Sequence, residues 1–246
     1  MAGHSKWANI QHRNGRVDAA RGKLWSKLSK AIIMAAQSGG GDPDANFRLR
    51  KAVEDAKAVS MPKDNISRAI KRGTGELDGG RVEEVVYEGY GPGGVAIMCQ
   101  ALTDNRNRTT PELRSLFGKS GGELGKTGCV SYLFERKGLF LFDDGVDEEK
   151  LTEVALESGA EDIEGLEEGK FQVTCDPDGF HGLDDAFREA ELVPSMSEVT
   201  LIAQTNVDAD AETAKKTLRL LEALDDHDDI QNVSTNLNIT DEALQD

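Results

Sequence analysis

The 246-residue sequence predicts an α+β fold: an N-terminal three-helix domain followed by two α+β sandwich domains of the ferredoxin-like type. Three observations lead to this prediction. Apolar residues recur at the three-to-four spacing of helices up to residue 75. The pattern then changes to the short apolar runs of strands. Residues 136–205 give the order β-α-β-β-α-β, which is the ferredoxin-like arrangement.

Three helices account for the first 75 residues. An apolar face indicates a helix at 17–37, which is ended by a run of three glycines. A second helix begins at Asp42 or at Asn46, because both residue types are good N-caps. Pro62 starts the third helix, which ends at Gly73 after two basic residues that suit the helix dipole.

Strands and helices alternate in the rest of the chain. The predicted strands are 85–87, 95–102, 129–134, 138–142, 161–164, 170–175, 197–203 and 232–239. The predicted helices begin at residues 109, 148, 182 and 211. This order is that of two α+β units in which short turns rich in glycine and aspartate separate the elements.

Three domains are predicted from the count of elements. Residues 1–75 form the basic arm and three-helix domain. Residues 76–135 lack one helix and one strand of a full sandwich, and 206–246 can supply both. We therefore expect the ferredoxin-like unit, 136–205, to be inserted into this discontinuous middle domain. The alternative is three domains that follow one another along the chain.

Charge is distributed unevenly along the chain. The formal net charge is -16, yet residues 1–75 hold 15 Lys and Arg against 6 Asp and Glu. Residues 76–246 hold 14 Lys and Arg against 39 Asp and Glu. A phosphate backbone responds to the local field, which falls off over roughly 8–10 Å in physiological salt. The sequence therefore predicts a positive N-terminal region on an acidic protein.

The N-terminal arm is the first candidate for nucleic-acid binding, because charge, aromatic surfaces and amide groups occur together in it. The candidate residues of the arm are Lys6, Trp7, His12, Arg13, Arg16, Arg21, Lys23 and Lys27. The alternative is a helix face that pairs with the protein's own acidic domains. Composition alone does not decide between the two.

A second candidate is the segment TDNRNRT, residues 103–109, which we expect to be a loop leading into a helix. Its two cations, Arg106 and Arg108, stand next to amide and carboxylate side chains. Such a segment can clamp a phosphate or bind the acidic groups of another domain.

No catalytic, cofactor or metal site is predicted. GYGPGG, residues 89–94, has dinucleotide-fingerprint spacing but leads into a strand, so it indicates a hairpin-type turn. The four histidines lack metal-ligand spacing. His227 lies in DDHDD, residues 225–229, which is more typical of a solvated acidic helix end than of a cation site. No serine or cysteine has the context of a nucleophile, so we expect a protein that is not an enzyme.

The expected compartment is the cytoplasm. The longest apolar run, residues 31–36, is far shorter than the roughly 20 residues that span a bilayer. The N-terminus lacks the apolar segment of a secretory signal, although its basic character is also found in organelle transit peptides. Three widely spaced cysteines in apolar runs fit buried thiols in a reducing environment.

Several long motifs resemble one known family. MAGHSKWANI, GGGDPDAN, MPKDNI, YEGYGPGG, LTDNRNRT and SYLFERKG are similar to the YebC/PmpR family, to which the mitochondrial translational activator of cytochrome oxidase also belongs. The resemblance implies a helical domain followed by two α+β domains in a horseshoe-like monomer, without enzymatic activity. Asn14 and Ala20 stand where relatives often have lysine, and Phe47 stands where they often have proline.

The resemblance implies a non-enzymatic cytosolic regulator of gene expression. Bacterial members are described as probable DNA-binding transcriptional regulators, so promoter DNA is the first expected partner. The alternative is a ribosome-associated translation factor that contacts ribosomal RNA and relieves stalled translation. We expect a monomer that needs no cofactor, small-molecule substrate or membrane.

Overall fold

A computed structural model describes residues 21–166 and 169–238 of the chain. Its helices are α1 (Arg21–Gly39), α2 (Phe47–Ala58), α3 (Lys63–Gly73), α4 (Arg106–Lys119), α5 (Glu148–Glu157), α6 (Phe180–Glu189) and α7 (Ala211–Asp225). Its strands are β1 (Glu83–Tyr90), β2 (Ala96–Thr103), β3 (Glu123–Leu124), β4 (Phe134–Phe142), β5 (Ala160–Gly165), β6 (Phe171–Cys175), β7 (Met196–Ala203) and β8 (Ile230–Thr235). The predicted α+β class, three helices before two antiparallel sheets, is confirmed.

The three N-terminal helices pack around one apolar core, which includes Ile32, Leu49 and Ile66. Of the two possible caps of α2, Asn46 is the one used: its side chain accepts the Leu49 N–H at 3.1 Å. The same amide group donates to the carbonyl oxygens of residues 35 and 40 at 2.9 Å each. One buried side chain thus ends α1 and starts α2, because it satisfies backbone groups of both.

The first sheet has the strand order β3-β1-β2-β8, and all its neighbours are antiparallel. Helices α4 and α7 cover one face, where Ile97, Phe117 and Leu220 are fully buried. The last strand comes from the end of the described chain, since Ile97 of β2 faces Thr235 of β8. The boundaries of the three domains stay a prediction.

The second sheet has the order β5-β6-β4-β7, again fully antiparallel. Helices α5 and α6 pack on one face around Phe140, Phe142 and Phe187, whose rings meet edge to face at centroid distances of 5.1 Å. The opposite faces of the two sheets meet in a small apolar cluster that contains Met98 and Phe134. The sheets therefore form the body onto which the helical region packs.

Helix α2 also contacts the second sheet's layer. The ring of Phe47 lies 3.6 Å, between centroids, from the ring of His181 on α6. Lys51 Nζ lies 3.3 Å from Ser197 Oγ on β7. Phe47 and Lys51 thus join α2 to the second sheet's layer.

The strand predicted at 129–134 is wrong. Ser131–Leu133 form a single 3-10 turn, and only Phe134 belongs to a strand, the start of β4. The reason is the buried carboxylate of Glu88, which accepts the N–H groups of residues 128, 130 and 131 at 2.8–2.9 Å. Those donors are consequently unavailable to a strand ladder. The third strand of the first sheet is instead the two-residue β3.

Candidate nucleic-acid interface

The structure does not describe most of the arm. The candidates outside the described residues are Lys6, Trp7, His12, Arg13 and Arg16. Arg21 is the first residue of α1. Among the described residues, the candidate site consists of the basic side chains of α1, α3 and α4 and the acidic groups that they meet.

The basic face of α1 lies against the turn between α7 and β8, which we call the acidic turn (Asp225–Asp229). Lys23 Nζ lies 3.9 Å from the Asp226 carboxylate, and Lys27 Nζ lies 3.5 Å from the Asp225 carboxylate. Lys27 also donates to the carbonyl oxygen of the same aspartate. The lysines of α1 thus pair with acids about 200 residues away in the sequence, which matches the alternative interpretation of this helix face.

Asp229 is the centre of this contact. Its side chain is 1% exposed and forms ion pairs with Lys30 of α1 and Arg108 of α4. The hydroxyl of Thr109 donates to the same carboxylate at 2.5 Å. Burial alone raises the pKa of Asp229, but hydrogen bonds from Lys30, Thr109 and Arg108 outweigh it and lower the pKa to about 2. The carboxylate is therefore ionised in the folded protein at neutral pH.

The sequence predicted a loop over residues 103–109, and this prediction is wrong for the second half of the segment. Helix α4 begins at Arg106, and the side chain of Asn105 caps it by accepting the Arg108 N–H at 3.2 Å. An asparagine N-cap satisfies orphan donors of the first turn as well as a threonine does, so the helix starts one turn earlier. Both candidate arginines consequently lie in its first turn.

The two arginines of α4 have different surroundings. The guanidinium of Arg108 meets both oxygens of Asp229, at 2.9 and 3.1 Å, and this bonding raises the pKa of Arg108. Arg106 Nε lies 2.7 Å from Glu83, and both of these side chains are more than half exposed. Arg108 is therefore part of the Asp229 cluster, whereas Arg106 belongs to an exposed pair that solvent screens.

Three potential metal ligands, Glu112, His227 and Asp229, have atoms within 4.8 Å of one another. Each already has a partner within the chain. His227 Nδ1 accepts the backbone N–H of Asp229 at 3.1 Å, so its Nε2 carries the proton donated to Glu112 at 3.0 Å. The Asp229 carboxylate is held by two cations. These groups fit the closure of the acidic turn better than the coordination of a cation.

Sequence reasoning did not single out the cations around α3. Lys57, Lys63, Arg68 and Lys71 are exposed, and none forms an ion pair within the part of the chain that the structure describes. Their signal in the sequence was the polar face of a short amphipathic helix. Basic residues in a last helical turn also suit the helix dipole. Because the dipole accounts for such residues, they did not stand out as binding candidates.

Among the described residues, no helix is long and apolar enough to cross a bilayer. The fold defines a class of α+β protein in which a basic helical region precedes two four-stranded antiparallel sheets. Residues 5–76 match the family description "TACO1/YebC protein N-terminal domain", and residues 82–237 match "TACO1/YebC second and third domain". The chain belongs to the TACO1/YebC family.

Relatives are similar over nearly their whole length. A probable transcriptional regulatory protein of Rhodopirellula baltica is 72% identical over 244 residues, which is 99% of both chains. Its counterpart in Geobacter sulfurreducens is 50% identical over 245 residues, 100% of this chain and 99% of the relative. The crystal structure of a conserved hypothetical protein from Aquifex aeolicus is 47% identical, with a TM-score of 0.86 over 94% of this chain and 96% of that one. Family membership confirms that the protein is not an enzyme.

Proposed function

We propose that the protein is a cytoplasmic, monomeric transcriptional regulator that binds DNA with its N-terminal region. The observation that carries the proposal is the charge separation: an excess of nine positive charges in residues 1–75, and of 25 negative charges in the remainder. DNA carries about one negative charge per 1.7 Å of duplex, so it is attracted to the first part and repelled by the second. The names of the relatives support this function.

The candidate residues divide into two roles under this proposal. The arm residues, with Arg21, contact phosphates and base edges, and Lys23 and Arg106 add charge at the rim because their side chains are more than half exposed. Lys27 and Arg108 instead stabilise the acidic turn. The side chain of Lys27 is only 15% exposed and pairs with Asp225, and Arg108 forms an ion pair with the buried carboxylate of Asp229. A side chain already engaged by a buried acid gains little from a phosphate, because the first contact must be broken.

A ribosome-associated translation factor is the second candidate function. The observation that favours it is that the basic side chains of the described region are lysines and arginines on helix faces. Lysines and arginines on helix faces recognise phosphate, which positions a protein but carries no sequence information. Neither a helix-turn-helix signature nor a two-fold palindrome reader is evident in the sequence. The same basic region can therefore meet ribosomal RNA, and the protein would then relieve stalled translation.

Sedimentation of the protein in a lysate at physiological salt tests the proposal. The lysate is split into three samples: untreated, treated with DNase, and treated with RNase. Under the proposed function the protein is retained on DNA, and DNase but not RNase releases it. Migration with ribosomal particles that RNase destroys and DNase spares would contradict DNA binding and establish the second candidate.

A further inference from the structure

Helix α3 has one buried side and one basic side. Ile66 and Ala69 point into the core of the helical region. Arg68 and Lys71 lie on the opposite side, one turn apart, and both are exposed. Asp64 is the helix's one acid, and it stands in the first turn, where it suits the dipole. The solvent side of α3 therefore carries more positive than negative charge.

Two further lysines are exposed near the N-terminal end of the helix. Lys57 is exposed near the end of α2, and Lys63 is exposed at the start of α3, after a connection of only four residues. We call the set Lys57, Lys63, Arg68 and Lys71 the α3 basic face. The next arginine along the helix, Arg72, lies one turn after Arg68 but already pairs with Asp104 at 3.2 Å.

The start of α1 lies at the same end of the helical region. Trp25 Nε1 donates to the carbonyl oxygen of Val59, in the connection between α2 and α3, at 3.3 Å. The chain before Arg21 carries three basic residues and one acid, and it is attached to the end of α1 that contacts this connection. Lys57 and Lys63 stand on either side of the same connection in the sequence. The start of α1 and the lysines at 57 and 63 therefore lie at one end of the helical region.

We infer that the α3 basic face binds the phosphate backbone of duplex DNA. The inference rests on the proposed function and names a surface for it that lies outside the arm and α4. The difference from α1 is the availability of charge: lysines of α1 meet the acidic turn, whereas the four cations around α3 have no acidic partner in the described chain. Exposed cations without partners are the ones that release counterions when they meet phosphates.

The dimensions of α3 suit a phosphate backbone. Eleven residues span about 16 Å at the helical rise, a length over which duplex DNA presents roughly nine phosphate charges. Arg68 and Lys71 lie three residues apart and so reach phosphates from one face. Their contribution is independent of base sequence, and it adds affinity to whatever the arm recognises.

The test compares two double variants of the full chain, each of which removes one arginine and one lysine. R68A/K71A alters the α3 basic face. R136A/K150A is the matched control, because both of its side chains are exposed on the second sheet's layer and form no ion pair among the described residues. A charge-preserving swap, R68K/K71R, separates loss of charge from other effects. Circular dichroism establishes that the wild type and the three variants are folded.

Binding is measured by fluorescence anisotropy with a labelled mixed-sequence duplex of about two helical turns, over a series of salt concentrations. We expect the slope of log affinity against log salt to fall by about 1.8 in R68A/K71A, or roughly 60-fold weaker binding near 0.1 M salt. R136A/K150A and R68K/K71R should keep the wild-type slope.

Two results would overturn the inference, and they have different meanings. If the wild type binds the duplex and R68A/K71A keeps the wild-type slope, the α3 basic face is not the contact and the proposed function stands. If the wild type itself fails to bind the duplex at any salt concentration, the proposed function is wrong and the inference falls with it.

Discussion

Helices α1 and α3 are both rich in lysine and arginine, and they use their charges differently. Lys27 and Lys30 of α1 have side chains that are only 15% and 14% exposed, and both contact the acidic turn. Arg68 and Lys71 of α3 are exposed to solvent. One helix therefore joins the helical region to the first sheet's layer, while the other leaves its charge available to a partner.

The comparison teaches that basic composition does not by itself locate a nucleic-acid interface. A cation that faces a buried carboxylate is a structural group, because separating the two leaves a charge without a partner at low dielectric. A cation that faces water keeps its full interaction with an incoming phosphate. The effect of substitutions on stability and on binding should therefore divide between the two helices.

The largest expected effect is on stability, from Asp229→Asn. The substitution keeps the size of the side chain but leaves Lys30 and Arg108 without their shared carboxylate. We expect a loss of about 3 kcal/mol in the free energy of unfolding, at the lower end for a broken buried pair because Arg108 is half exposed. Urea denaturation measures it. Asp226→Asn, in an exposed pair, is the control and should change stability by less than about 0.5 kcal/mol.

The contribution of Asp229 to the free energy of unfolding should also depend on pH, and this effect is smaller. The pKa of Asp229 is about 2 in the folded protein and ordinarily 3.8, so below about pH 4 the unfolded chain binds the proton first. Its stabilisation is complete above that pH and is lost as the pH falls from 4 towards 2, by about 2 kcal/mol in total. The stability difference between wild type and Asp229→Asn, measured from pH 7 down to pH 3, should narrow only below pH 4. A difference that narrows between pH 7 and 5 would assign the effect to another group.

Lys30→Met removes one of the two cations that pair with Asp229. Asp229 keeps Arg108 and Thr109 as partners, so we expect a loss of about 1.5 kcal/mol, typical of one hydrogen bond to a charged group. The salt slope of DNA binding should stay at the wild-type value. The measurements are urea denaturation and the anisotropy titration on the same protein. A normal stability with a reduced salt slope would reverse the roles assigned to the two helices.

Local patterns were enough to predict much of the fold. The helical periods before residue 75 and the β-α-β-β-α-β order of the second sheet's layer depend on neighbours along the chain, and the structure contains both. The strand predicted at 129–134 failed because Glu88, some 40 residues earlier, takes its backbone N–H groups. Such a contact leaves no trace in the periodicity of either segment.

The candidate site was less predictable for the same reason. The arm's basic composition was visible, but the partner of Lys27 lies 198 residues away, so composition left two interpretations open. The start of α4 was misplaced because Asn105 and Thr109 are both good caps, and the choice depends on Thr109, whose hydroxyl binds the buried Asp229. Nucleic-acid contacts of the arm and of α4 stay predictions.

The smallest expected effect belongs to Lys23→Ala, the variant that lies between the two classes of cation. Its Nζ is 3.9 Å from Asp226, and both side chains are about half exposed, so solvent screens the pair. We expect a change below about 0.5 kcal/mol in the free energy of unfolding. The salt slope of DNA binding should fall by about 0.9 if the rim role proposed for this lysine is right. An unchanged slope would place Lys23 with Lys27 and Lys30 among the structural cations, and a DNA interface would then consist of the remaining arm residues and the α3 basic face.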